Sequence, residues 1–291
     1  MIDLHTHSKC SDGDLSPEEL LQMAEKRNLT VFSISDHDTV DAYKNLDVKK
    51  YYSGRFITGV ELTCNLNGKT IEVLGYGFDV QKMLEEPLIK NYKRETREDR
   101  HRIMAYLKKA ADHFSLIYTS DLSSDAAAIP THDIFFDDVL SYAQNKETLD
   151  QLMVQDRSTF YRRHIRTKES PFYLISEESS VPFETAAMTI KNAGGFALLA
   201  HAGKYFGIDY EALTEESFAT GLLDGFECMH KEHTRAQIDY LIAFCDTHGL
   251  LKSGGSDLHR NSPELLGIGS KEGDVIPESL ATDLLKRIEE R

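Results

Sequence analysis

Apolar and polar positions repeat with two different periods along the first eighty residues. In "MIDLHTH", Ile2 and Leu4 fall on one side of an extended segment, and Asp3, His5 and His7 fall on the other. The next stretch, "SPEELLQMAEKRN", shifts to the helical period, with Leu20, Met23, Ala24 and Arg27 recurring on one face. Ser16 stands where an N-cap belongs, Pro17 takes the first helical position, Glu19 completes a capping box, and Asn28 is a stop. "TVFSISDHD", "RFITGVELT" and "TIEVLGYGFD" predict further strands, so the opening reads as a βαβ-type alternation.

Glycine then disappears: none of the chain's 18 glycines falls between Gly77 and Gly194. The intervening stretch is charged and helical in period. "REDRHRIMAYLKKA" places Arg100, Ile103, Leu107 and Ala110 or Ala111 on one face, and "HDIFFDDVLSYAQ" and "PFETAAMTIKNAGG" predict two more helices. Strand patterns return in "GFALLAHAGKY", "DGFECMH" and "LLKSGGSDLH", and "SLATDLLKRIEER" closes with a helix. The pattern predicts an α/β, barrel-like domain over residues 1–81 and 189–291, interrupted once by a mostly helical insertion over 82–188.

Composition narrows the class. With 291 residues and 41% hydrophobic content, the chain can build one large core. A formal net charge of −15 argues against gripping long nucleic acid by its phosphates, and still admits a small phosphorylated substrate. Cys10, Cys64, Cys228 and Cys245 form no CxxC pair and read as reduced thiols. With no apolar run of membrane-spanning length and no signal pattern at the start, the expected location is cytoplasmic.

The chemistry collects at the predicted strand ends. His5 and His7 share a face, His37 lies in "SDHD", Glu61 in "GVEL", Glu72 in "IEVLGY", and His201 in "LLAHAG". Asp257 and His259 in "GGSDLH" are expected to repeat the i, i+2 arrangement of His5 and His7. One such residue is ordinarily structural, but burying this many acids and imidazoles together demands compensation, and metal ions supply it. Imidazole and carboxylate donors suit Mn, Zn or Fe, and seven or eight candidate groups imply two or three divalent ions. Clustered divalent ions are a means of hydrolysing phosphate esters.

"DLHTHSKCSDG", "SISDHDTV", "GVELT", "LLAHAG" and "GGSDLH", in this order, resemble the motifs of the polymerase-and-histidinol-phosphatase (PHP) superfamily. The insertion also resembles that of stand-alone members acting on nucleoside phosphates, in the helix near Arg97 and Arg100 and in "IKNAGGFALLAH". The resemblance implies a distorted (β/α)7 barrel. It implies one ion on His5, His7, Glu61 and Asp257, a second on Asp12, His37 and His259, and a third to which Glu61 and His201 contribute. Glu72 stands where the family often has histidine, and an oxygen donor there still suits these metals. Ala202 follows His201 where the family commonly has proline.

The expected activity is metal-dependent hydrolysis of a nucleotide phosphate monoester, of the AMP or 3′,5′-bisphosphonucleotide type. A metal-bridging hydroxide held by Glu61 and Asp257 would attack phosphorus, with Arg97, Arg100 and His230 contacting substrate. His233 reads as a surface residue. The competing readings are a 5′-3′ exonuclease on short oligonucleotides, a histidinol-phosphatase-like enzyme, and a non-catalytic metal-binding module. Oligomeric state is not legible in the pattern. On this reading the N-terminus is held as a first strand.

Overall fold

The computed structural model describes residues 1–91, 97–120, 130–174 and 181–291. They fall into two compact units, Met1–Tyr92 with Val181–Arg291, and Lys93–Ser180. Residues 82–91 and 181–188, placed in the insertion by its glycine-free, charged and helical pattern, cluster with the first unit. There Met83 is buried, and Leu84, Leu88 and Ile89 pack on the same core as Ala186, Ala187 and Ile190.

The first unit holds eight strands: β1 (Ile2–Asp3), β2 (Val31–Phe32), β3 (Arg55–Phe56), β4 (Gly59–Leu66), β5 (Lys69–Tyr76), β6 (Phe196–Leu199), β7 (Gly225–His230) and β8 (Leu251–Gly255). They form a parallel three-stranded sheet, β1-β2-β3, and a five-stranded sheet, β4-β5-β6-β7-β8. Strand pairing among the described residues closes no barrel. The chain crosses from β1 to β2 through helix Pro17–Lys26, where Ser16 and Glu19 form the expected capping box. Asn28 ends that segment with φ 55°, the left-handed conformation asparagine tolerates.

The second sheet departs from a purely parallel alternation. β4 and β5 are an antiparallel hairpin in register Leu66↔Lys69, and β6 is antiparallel to β5. The cause is local: Asn67 and Gly68, with φ 51° and 83°, make a two-residue turn whose twist matches paired strands. β6, β7 and β8 are parallel, with helices Tyr210–Ala219 and Arg235–His248 as crossovers. All six residues of β7 are buried, as expected for a strand covered on both faces. Its Glu227 and His230 point charge-bearing groups into that interior, which fixes where the site must be.

The N-terminus is held in place: Ile2 N donates to Ile276 O at 3.0 Å, Leu4 N to Gly254 O at 3.1 Å, and His7 N to Leu258 O at 2.9 Å. Ile2 and Leu4 enter the main apolar core, so Asp3, His5 and His7 face the other way and are buried as well.

The second unit has its own apolar cluster, with Phe135, Phe136, Phe160 and Phe172 packed with Met104 and Leu107. In helix Arg97–His113, Arg97 is exposed, whereas Arg100 is buried on the face shared with Met104 and Leu107. No helix among the described residues is long and apolar enough to cross a membrane.

Candidate metal centre

Seven strand ends or strand interiors of the first unit deliver their polar side chains to one region. β1 continues into His5 and His7, and β2 into Asp36, His37 and Asp38. β4 carries Glu61 and β5 carries Glu72, β6 leads to His201, β7 ends on His230, and β8 leads to Asp257 and His259. The hairpin register pairs Thr63 with Glu72, so Glu61 and Glu72 lie on the same face as diagonal neighbours.

Glu61 is the hub. Its Oε2 lies 3.2 Å from His5 Nε2, 3.4 Å from His7 Nε2 and 3.1 Å from His37 Nδ1, and its Oε1 lies 3.0 Å from His201 Nε2. Asp257 Oδ1 is 3.2 Å from His7 Nε2, 3.7 Å from His5 Nε2 and 3.4 Å from His259 Nδ1. Asp12 Oδ2 is 3.2 Å from His259 Nε2 and 3.9 Å from His37 Nε2. Glu72 Oε2 is 3.6 Å from His201 Nε2 and accepts from the Tyr205 hydroxyl at 3.2 Å.

These contacts make four groups whose ligand atoms lie within 4.8 Å of one another: His5, His7, Glu61 and Asp257; His7, Asp12, His37 and His259; Glu61, Glu72 and His201; and His5, His201 and Glu227. Every candidate ligand singled out in the sequence belongs to at least one of them. No cysteine joins them among the described residues, so the donors are imidazole and carboxylate throughout.

The residues fit divalent ions on a physical ground. His5 Nε2, both ring nitrogens of His7, Glu61 Oε2 and His201 Nδ1 are buried with no hydrogen-bond partner. A buried polar atom left unsatisfied costs roughly 1–3 kcal/mol, and these lie in one cluster. An ion coordinated there would satisfy several at once.

Electrostatics point the same way. Burial, then the neighbouring His259 and His37, push the His7 imidazole down to about 3, which leaves it a neutral donor. Burial opposes charge on His37, yet Glu61 and Asp12 outweigh it and lift that ring to about 9. Burial likewise opposes ionisation of Asp257, but Lys204 and Lys231 hold its carboxyl well below the usual range. Lys204 Nζ lies 2.5 Å from Asp257 Oδ2, and Lys231 Nζ donates to Asp257 O at 2.5 Å.

Two features differ from the sequence reading. β8 ends at Gly255 and Asp257 has φ 51°, so Asp257 and His259 do not share a strand face. A turn, followed by the Thr6–Leu258 bridge, brings them together instead. His201 also has positive φ, 23°, and backbone strain on the order of 1–3 kcal/mol per such residue is characteristic of functional sites. His233 is buried, not surface: its Nδ1 lies 3.1 Å from Cys228 O, and its Nε2 accepts from Gly203 N at 3.2 Å.

Pattern reading missed Glu227, Lys204 and Lys231. For Glu227 a signal existed, a lone carboxylate inside the apolar strand "GFECMH". The lysines carry no such signal, since "AGKY" and "HKEH" look like ordinary solvated loops. Arg97 and Arg100 lie in the second unit, outside these four groups.

The chain is similar over nearly its whole length to characterised proteins. It is 28% identical over 270 residues to a 3′,5′-nucleoside bisphosphate phosphatase of Chromobacterium violaceum, covering 89% of this chain and 87% of that one. It is 29% identical over 261 residues to a 5′-3′ exoribonuclease of Haemophilus influenzae, covering 88% and 89%. A solved structure from Chromobacterium violaceum, described as an amidohydrolase with bound sulfate and no metal, superposes with a TM-score of 0.72. Its identity is 26%, over 99% of this chain and 95% of that one. The PHP domain model matches residues 3–164, more than half of the 291-residue chain and the part that supplies His5, His7, Asp12, His37, Glu61 and Glu72; the protein belongs to the PHP domain family.

Proposed function

We propose that this protein is a metal-dependent phosphoester hydrolase that removes a phosphate monoester from a nucleotide of the AMP or 3′,5′-bisphosphate type. The observation that carries this reading is the buried, unpartnered donor cluster around Glu61. His5, His7, Glu61 and Asp257 would hold one ion, Asp12, His37 and His259 a second, and Glu61, Glu72 and His201 a third. Divalent ions in such a site supply an activated water and neutralise phosphoryl oxygens. The two parallel bridges between the sheets, Thr6–Leu258 and His37–Glu61, support reading the first unit as a distorted (β/α)7 barrel.

The chain's own residues set the geometry. Glu61 ties together imidazoles from β1, β2 and β6. Lys204 and Lys231 hold Asp257 ionised and oriented. His230 Nδ1 accepts from Glu232 N at 3.1 Å, which leaves its proton on Nε2, 3.4 Å from Asp257 Oδ2. His230 thus donates toward Asp257 at the edge of the site. The resemblance also gives Arg97 and Arg100 a part in phosphate binding, which Arg→Ala variants would register as a raised KM.

The nucleotide preference follows the Chromobacterium relative, and the Haemophilus relative favours a second reading, 5′-3′ cleavage of short RNA. A panel of AMP, adenosine 3′,5′-bisphosphate and 5′-phosphorylated oligoribonucleotides, assayed with Mn, separates them. Release of inorganic phosphate from the mononucleotides supports the first reading. Liberation of mononucleotides from the oligomers, with mononucleotides left intact, replaces it with the second.

A further inference from the structure

Glu227 lies on β7 with both carboxylate oxygens engaged, each by a different element of the site. Its Oε1 is 3.0 Å from His5 Nδ1, and its Oε2 accepts from the backbone N–H of His201 at 2.8 Å. All three residues are buried. His5 Nε2 has no hydrogen-bond partner and points instead at Glu61 Oε2 and Asp257 Oδ1.

From this geometry, and resting on the metal-site reading above, we propose that Glu227 is a positioning residue that aims two metal ligands at once. By accepting from His5 Nδ1–H it fixes which ring nitrogen carries the proton, and so keeps the Nε2 lone pair directed at Glu61 and Asp257. By accepting from His201 N–H it holds the backbone of a residue at φ 23°, a conformation that an L-residue rarely keeps unaided. A ligating histidine whose second nitrogen donates to a carboxylate is oriented and made a better donor. Both oxygens are used on these donors, so Glu227 supports the ions from behind their ligands.

Glutamine cannot replace it. Its one carbonyl oxygen can accept from only one of the two donors, and its NH2 then faces the other. With the NH2 toward His5, the ring proton moves to Nε2, the nitrogen that must bind the ion. With the NH2 toward His201, that backbone N–H loses its partner.

The test is a titration of chelator-stripped protein with MnCl2 by calorimetry, comparing wild type with Glu227→Gln. One Mn-binding step should weaken roughly 10–100-fold, the usual range for losing such a partner, while the variant keeps a cooperative melt. A carboxylate that only stabilised the fold would lower the melting temperature and leave the affinity of the folded protein unchanged; wild-type affinity in the variant overturns the assignment. If the wild type itself takes up no divalent ion, the metal-site reading fails first, and this inference with it. Should Glu227→Gln not fold, assigned 15N spectra of the wild type decide: His5 Nδ1 should carry a proton both metal-free and Zn-loaded. An unprotonated Nδ1 contradicts the proposal.

Discussion

His37 and Glu61 are joined twice. Their backbones form a parallel bridge between the two sheets, and His37 Nδ1 lies 3.1 Å from Glu61 Oε2. The same carboxylate that links the sheets therefore reaches four imidazoles, carried by the continuations of β1, β2 and β6. Replacing Glu61 with Gln keeps its size and removes its charge. Metal analysis should show loss of more than one ion per chain, and phosphate release should fall roughly a thousandfold, the effect of losing several kcal/mol of charge stabilisation. Full metal content in Glu61→Gln would remove it from the centre.

Gly255 ends β8 beside the start of the chain. A Cβ there would collide with the backbone nitrogen, Cα and Cβ of His5. His5 is bound to its neighbours on both sides, so the backbone cannot yield cheaply. Gly255→Ala should cost about 1–3 kcal/mol or more of stability, read as a lowered melting temperature, and should weaken Mn binding. Gly68, in the open hairpin turn, meets nothing within 4 Å. Alanine there strains only its own positive φ and should leave Mn affinity unchanged.

What was legible in the sequence was local. The capping box of Ser16 and Glu19, the strand carrying His5 and His7, and the polar residues closing the apolar runs all follow from periodicity within a dozen residues. The Asn67-Gly68 turn was equally local, a strong hairpin signal between two apolar runs, and it makes β4 and β5 antiparallel where a βαβ reading expects parallel strands. Asp257 could not be placed by period, because its left-handed backbone breaks the strand rule. Glu227 and Lys204 act on His5 and Asp257 across sequence separations of 222 and 53 residues, which only the folded topology makes short.

The capping box also gives a control for stability without chemistry. Ser16 Oγ accepts from Glu19 N at 3.2 Å, and Glu19 Oε2 accepts from Ser16 N at 2.7 Å, on an exposed helix end. Ser16→Ala should cost about 1 kcal/mol, a drop of ~2–4 °C in melting temperature for a unit of this size. Its turnover at a temperature where both proteins are folded should match wild type.

Divalent ions should stabilise the folded chain, because the donor cluster is assembled only there. At one hundred times Kd a single site adds about 2.7 kcal/mol, so Mn should raise the melting temperature of stripped protein by several degrees. A chelator should reverse the shift, and Glu61→Gln should blunt it.

The most direct measurement is phosphate release from adenosine 3′,5′-bisphosphate by chelator-stripped protein, before and after Mn is restored. The account predicts no release from the stripped protein and recovery of turnover as the ions return. Undiminished release from stripped protein, or a metal-replete protein that hydrolyses no phosphoester, would contradict it.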